Sequence, residues 1–171
     1  SIAYTGDGTP ISHSGNKSVV IYIAANADAA KYSSHANNLE HLQGVAQRLS
    51  LDDSKKYKLQ FFYYRPNLVW GTTDVAANIN HAEKIVVGIV SSTEANVNTD
   101  YTYEEVITLE KTEGWKEYNI TFDLPDIIQK NPGKSFEKCA IFFNIVPEID
   151  SAQKTLKTLV NLDDISLTET K

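Results

Sequence analysis

The sequence predicts an all-β fold, a two-sheet antiparallel β-sandwich of the jelly-roll kind, and three observations carry that reading. Apolar residues recur with a period of two, not the period of a helix. They do so in eight short segments rich in Val, Ile, Tyr and Phe, each bounded by turn residues. Long connections join the segments and no internal repeat occurs, which suits two packed sheets. No domain boundary is visible, so residues 1–171 read as one domain.

The segments follow in order. "KSVVIYIA" (17–24) comes first, and "VAQRLSL" (45–51) next, with Val45, Gln47, Leu49 and Leu51 opposing Ala46, Arg48 and Ser50. "YKLQFFYY" (57–64) places Tyr57, Leu59, Phe61 and Tyr63 on a core face. Lys58, Gln60, Phe62 and Tyr64 then share a mixed outer face. "KIVVGIVSS" (84–92), "YEEVITLE" (103–110) and "KEYNITFDL" (116–124) continue the pattern. "KCAIFFNIV" (138–146) opposes Cys139, Ile141, Phe143 and Ile145 to Ala140, Phe142, Asn144 and Val146, and "LVNLDDISL" (159–167) closes the set. Residues 26–44 have weak periodicity and read as a long loop with a helical turn, and "LPDIIQK" (124–130) as a second turn.

Charge and composition exclude several function classes. The net charge is −6, from 16 basic and 22 acidic residues, and no basic cluster is longer than Lys55-Lys56. A nucleic-acid partner or an anionic membrane surface is thereby disfavoured. The longest apolar runs, 18–25 and 139–146, fall well short of the ~20 residues that membrane insertion needs. A single cysteine, Cys139, excludes a disulfide framework. A chain that starts at Ser1 and holds no Met reads as a processed protein or a domain excised from a larger one.

Catalytic signatures are weak. His13, His35, His41 and His81 lack metal-ligand spacing and have no cysteine pair to join. "NPGKSF" (131–136) has Ile128 where a phosphate-binding loop needs its first Gly, and "SHSGN" (12–16) lacks the Gly of a nucleophile elbow. The acid pairs Asp52-Asp53 and Glu104-Glu105 read as solvated turns and strand faces.

Five stretches carry a resemblance: "HSGNKSVVIYI" (13–23), "GVAQRLSLDDSKKYKLQFFYY" (44–64), "EGWKEYNITFDL" (113–124), "AIFFNIV" (140–146) and "VNLDDISL" (160–167). In this order they resemble the jelly-roll carbohydrate-binding modules grouped as families four, nine and twenty-two. The departure is at the front, where "SIAYTGDGTPI" (1–11) stands in place of an Asn/Phe-Glu strand and an early Trp.

The resemblance bears on an electrostatic puzzle, because Asp163 and Asp164 put adjacent like charges inside an apolar strand between Leu162 and Ile165. It implies a structural Ca²⁺ held by Asp163 or Asp164, with Asp7 of "GDGT" as an oxygen donor from the N-terminal loop. Solvent exposure, or hydrogen bonds to backbone N–H groups at a bulge, is the alternative.

It also implies a glycan site on a concave sheet face. Sugars need aromatic rings for their C–H faces and planar polar groups for their hydroxyls. Strand alternation offers Arg48, Gln60, Phe62, Tyr64 and Asn144 for one shared face. Trp70, in the long 65–84 stretch, is a candidate stacking platform, with an anchoring role as the alternative, whereas Trp115 reads as a packing residue. The expected function is non-catalytic carbohydrate binding within a larger extracellular protein, secreted or on a cell surface, with covalently linked neighbouring domains. The alternatives are a structural or protein-interaction domain of an adhesin or toxin, and a jelly-roll polysaccharide lyase using Arg48 and Tyr64.

Overall fold

A computed structural model describes residues 12–15, 17–23, 44–65, 79–91, 101–111, 113–146, 148, 151, 152, 154 and 157–171. In chain order they form β1 (Val19–Ile23), β2 (Gly44–Leu49), β3 (Lys56–Tyr64), β4 (Ile79–His81), β5 (Lys84–Ser91), β6 (Tyr101–Thr108) and β7 (Trp115–Asp123). Helix α1 (Leu124–Lys130), β8 (Cys139–Ile145) and β9 (Lys157–Thr170) follow. Each of the eight expected segments contains a strand, and α1 coincides with the expected helical turn. β4 falls inside the 65–84 stretch that reads as loop, because three residues are too few to show a period.

Two sheets face each other. One runs β1-β9-β3-β7, with β4 also pairing β9, and the other runs β2-β8-β5-β6. The pairs are antiparallel except β4 with β9, which is parallel.

The core lies between the sheets and follows the alternation read from sequence. Leu59, Phe61 and Tyr63 of β3 meet Ile141, Phe143 and Ile145 of β8 together with Ile85, Val87 and Ile89 of β5. Phe61 bridges the layers, its ring edge-on to Phe143 at 5.1 Å. Full burial of such a ring contributes roughly 1.5–3 kcal/mol through the area removed from water. The Tyr63 hydroxyl accepts the backbone N–H of Glu110 at 3.2 Å, so the one polar atom of this buried side chain is satisfied.

Helix α1 starts where a capping residue and a proline meet. Asp123 Oδ1 accepts the Asp126 backbone N–H at 3.3 Å, and Pro125 occupies the first turn, where its missing N–H costs nothing. Leu124 and Ile127 anchor the helix to the core.

Candidate functional site

The outer face of the four-stranded sheet is built in cross-strand rows. Register places Ala46, Phe142, Gly88 and Glu104 side by side, with Gly44, Asn144, Val86 and Val106 in the next row but one along the strands. Glycine permits close approach in both rows. A Cβ on Gly88 would stand 2.6 Å from Cζ of Phe142 and would also strike the Tyr103 carbonyl, so the Phe142 ring lies directly over the glycine. A Cβ on Gly44 would collide with Oδ1 of Asn144, whose side chain leans over β2.

The middle of this face is closed to solvent, with Phe142 5% and Asn144 8% exposed, while its margin at β2 is open along Gly44, Ala46 and Arg48. One group there is unmet: Oε2 of Glu104 is buried without a hydrogen-bond partner. A buried acceptor without a donor is costly, and it requires an explanation.

Gln60, Phe62 and Tyr64 do not share this face, which corrects the single-face expectation. They belong to β3, in the other sheet, while Arg48 and Asn144 belong to β2 and β8. Alternation fixes which side of a strand a residue takes, but the sheet a strand joins is decided by partners distant in sequence. Gln60, Phe62 and Tyr64 instead line the outer face of the first sheet, opposite Asn119, Glu117 and Trp115 of β7. Trp115 is half-buried and outside the core, contrary to its reading as a packing residue, and its ring meets Tyr64 at 5.5 Å. Trp70 and Asp7 lie outside the described residues.

The acid pair sits at a β-bulge. Opposite β3, Gln60 pairs with Ser166 and Phe62 with Asp163, leaving Asp164 and Ile165 across from Phe61. Asp164 takes a φ of 45°, a left-handed conformation that Asp tolerates better than most residues. Both carboxylates bind the segment before β1. Asp163 Oδ2 accepts the His13 N–H at 2.8 Å and the Ser14 N–H at 3.3 Å, and its Oδ1 accepts the Asp164 N–H at 2.9 Å. Asp164 Oδ1 accepts the Ser14 hydroxyl at 2.5 Å, and its Oδ2 meets His13 Nδ1 at 2.7 Å. The Ser14 hydroxyl, and after it His13, hold the Asp164 carboxyl below the usual carboxylate range.

Hydrogen-bond donors therefore answer the repulsion that the sequence poses. Calcium takes six to eight oxygen ligands. Each of the four carboxylate oxygens here already faces a donor, and no cluster of His, Cys, Asp or Glu among the described residues suits a metal. The Ca²⁺ expectation also involves Asp7, which lies outside the described residues.

Two other features carry no sugar chemistry. A cleft of about 430 Å³ at the β1 and β2 edge of the sandwich is lined by Val19, Val45, Leu49, Ile165 and other apolar side chains, with Gln47 as its one amide. Burial pushes the Cys139 thiol up to about 12, and its Sγ donates to the Leu49 carbonyl, so this cysteine is chemically quiet.

No family model and no curated protein matches the chain. Among solved structures it is similar to a CBM4 structure, with a TM-score of 0.55 and 15% identity over 92% of this chain and 74% of that one. It is also similar to TmCBM61 in complex with β-1,4-galactotriose, with a TM-score of 0.50 and 12% identity over 99% and 81%. A third is CBM28, a non-crystalline cellulose specific carbohydrate-binding module, with a TM-score of 0.50 and 13% identity over 99% and 80%. The chain has the jelly-roll β-sandwich fold of carbohydrate-binding modules.

Proposed function

We propose that the chain is a non-catalytic carbohydrate-binding domain whose glycan site lies on the outer face of the β2-β8-β5-β6 sheet. One observation carries the reading: the Phe142 ring is pressed onto Gly88 in the same row as Glu104, whose Oε2 has no partner within the protein. A pyranose at the Glu104 end of this row donates a hydroxyl to the carboxylate, while the Phe142 ring, 5% exposed, is packed beneath the row and is not offered for stacking. Arg48 stands at the margin as a further donor. No histidine among the described residues lies on this face, so the general base that a lyase needs has no histidine candidate here.

The structurally similar modules are described with galactotriose and with cellulose, both uncharged β-linked glycans, which makes this chemistry the first to test. Attachment to neighbouring domains and an extracellular location belong to the same proposal.

A glycan array extended with β-1,4-galactan and amorphous cellulose tests it. The expected result is micromolar to millimolar binding, weakened by Glu104→Gln and Arg48→Ala with the melting temperature retained. Absence of binding across the panel overturns the proposal.

A further inference from the structure

We infer that the opposite, outer face of the first sheet is a second glycan-binding surface, centred on Trp115, Tyr64 and His13. It takes the same class of ligand as the first site, an uncharged oligosaccharide, but shares no residue with it. The rings gather at one end of the β3 and β7 pair. His13 lies flat on Phe62, with ring centroids 3.7 Å apart and planes at 13°, and its edge turns toward Trp115 at 6.1 Å. His13 thus covers one side of Phe62 and stays partly exposed beside Trp115, whose ring in turn meets Tyr64.

Polar groups stand beside this ring platform. Among the described residues no hydrogen bond is made by the Gln60 carboxamide or the Trp115 indole N–H, and both residues are half-buried. Across from Gln60, Asn119 donates to Glu117 at 2.7 Å. At the other end of the Trp115 and Tyr64 row stands Asn161 of β9, wholly buried, with neither amide atom bonded. A carboxamide in that state is unusual in a folded protein, and at 0% exposure it lies beneath this surface and not on it.

His13 is fixed in a definite orientation. The Asp164 carboxylate can only accept, so the facing Nδ1 carries a hydrogen and Nε2 is left for a ligand. Apolar protein partners favour continuous apolar surface, whereas this face alternates rings with amides and acids, which suits sugars. Two such faces back to back allow one domain to bridge two glycan chains.

The test is a ¹H–¹⁵N NMR titration with β-1,4-galactotriose and, separately, cellotetraose, reading the indole N–H of Trp115 assigned by Trp115→Phe. The expected result is a saturable shift of that resonance that persists in Glu104→Gln. His13→Ala, a change at an exposed residue, should weaken it roughly 5- to 10-fold. If amides around Phe142 and Glu104 respond and the Trp115 indole does not, the second surface is refuted and the first site stands. A Trp115 response that disappears in Glu104→Gln is transmitted from the first site and refutes it equally. No response at either face to either sugar overturns both proposals.

Discussion

Gly88→Ala tests the architecture of the proposed site with the smallest possible change. The added methyl would sit 2.6 Å from Cζ and 2.9 Å from Cε1 of Phe142 and would strike the Tyr103 carbonyl. The carbonyl belongs to the β5 and β6 ladder and cannot easily withdraw, so the Phe142 ring must lift or the strands must part. Overpacking of this kind costs about 1–3 kcal/mol. At roughly 2–4 °C per kcal/mol for a domain of this size, melting should fall by about 2–12 °C. If the ring is the floor of the sugar site, affinity should fall as well, by roughly 1 kcal/mol or more, or about fivefold. Differential scanning calorimetry gives the first quantity and isothermal titration with the best glycan of the array gives the second. Lowered melting with unchanged affinity would show that Phe142 does not support the ligand site. An unchanged melting temperature would show that the ring does not press on the glycine at all.

Trp115→Ala should cost only about 1–2 kcal/mol of stability, because its ring is half-buried outside the core, whereas Phe61→Ala should cost about 3–5 kcal/mol; urea unfolding of the two variants ranks them. Asp164→Asn should reduce stability at neutral pH and flatten the acid limb. The Asp164 carboxyl is held below its ordinary 3.8, so its contribution is full above that value and is lost as pH falls through the lower folded value. Melting temperatures of wild type and variant should therefore converge below about pH 4. A chelator should leave melting unchanged, since hydrogen-bond donors occupy the acid pair. A loss of about 2.7 kcal/mol relative to Ca²⁺ at a hundred times its Kd would instead support a bound cation.

What was legible in the sequence was local. Period-two alternation placed Leu59, Phe61 and Tyr63 in the core and Gln60, Phe62 and Tyr64 outside it, because a strand's two faces are fixed by covalent geometry alone. The helical turn at 124–130 was legible in the same local way, and the structure adds its cap at Asp123 and Pro125 in its first turn. The acid pair was half legible. Its two adjacent charges demanded compensation, but the donors come from His13 and Ser14, about 150 positions away in the chain, and nothing near Asp163 announces them.

Sheet membership was not legible, and it is what divides the expected site. Arg48 and Gln60 are close in sequence and both point outward, yet the chain crosses from β2 in one sheet to β3 in the other between them. Outward residues on strands of opposite sheets point in opposite directions, so the five described candidates separate into Arg48 and Asn144 on one face and Gln60, Phe62 and Tyr64 on the other. The same division explains why Trp115 was misread. Its position in a motif stretch suggested packing, whereas its register opposite Tyr64 puts it outside with the second group. The signal that could have found it was its own strand phase. Ile120 and Phe122 point inward, so the odd-numbered residues Asn119, Glu117 and Trp115 must point outward, toward the face that carries Gln60, Phe62 and Tyr64.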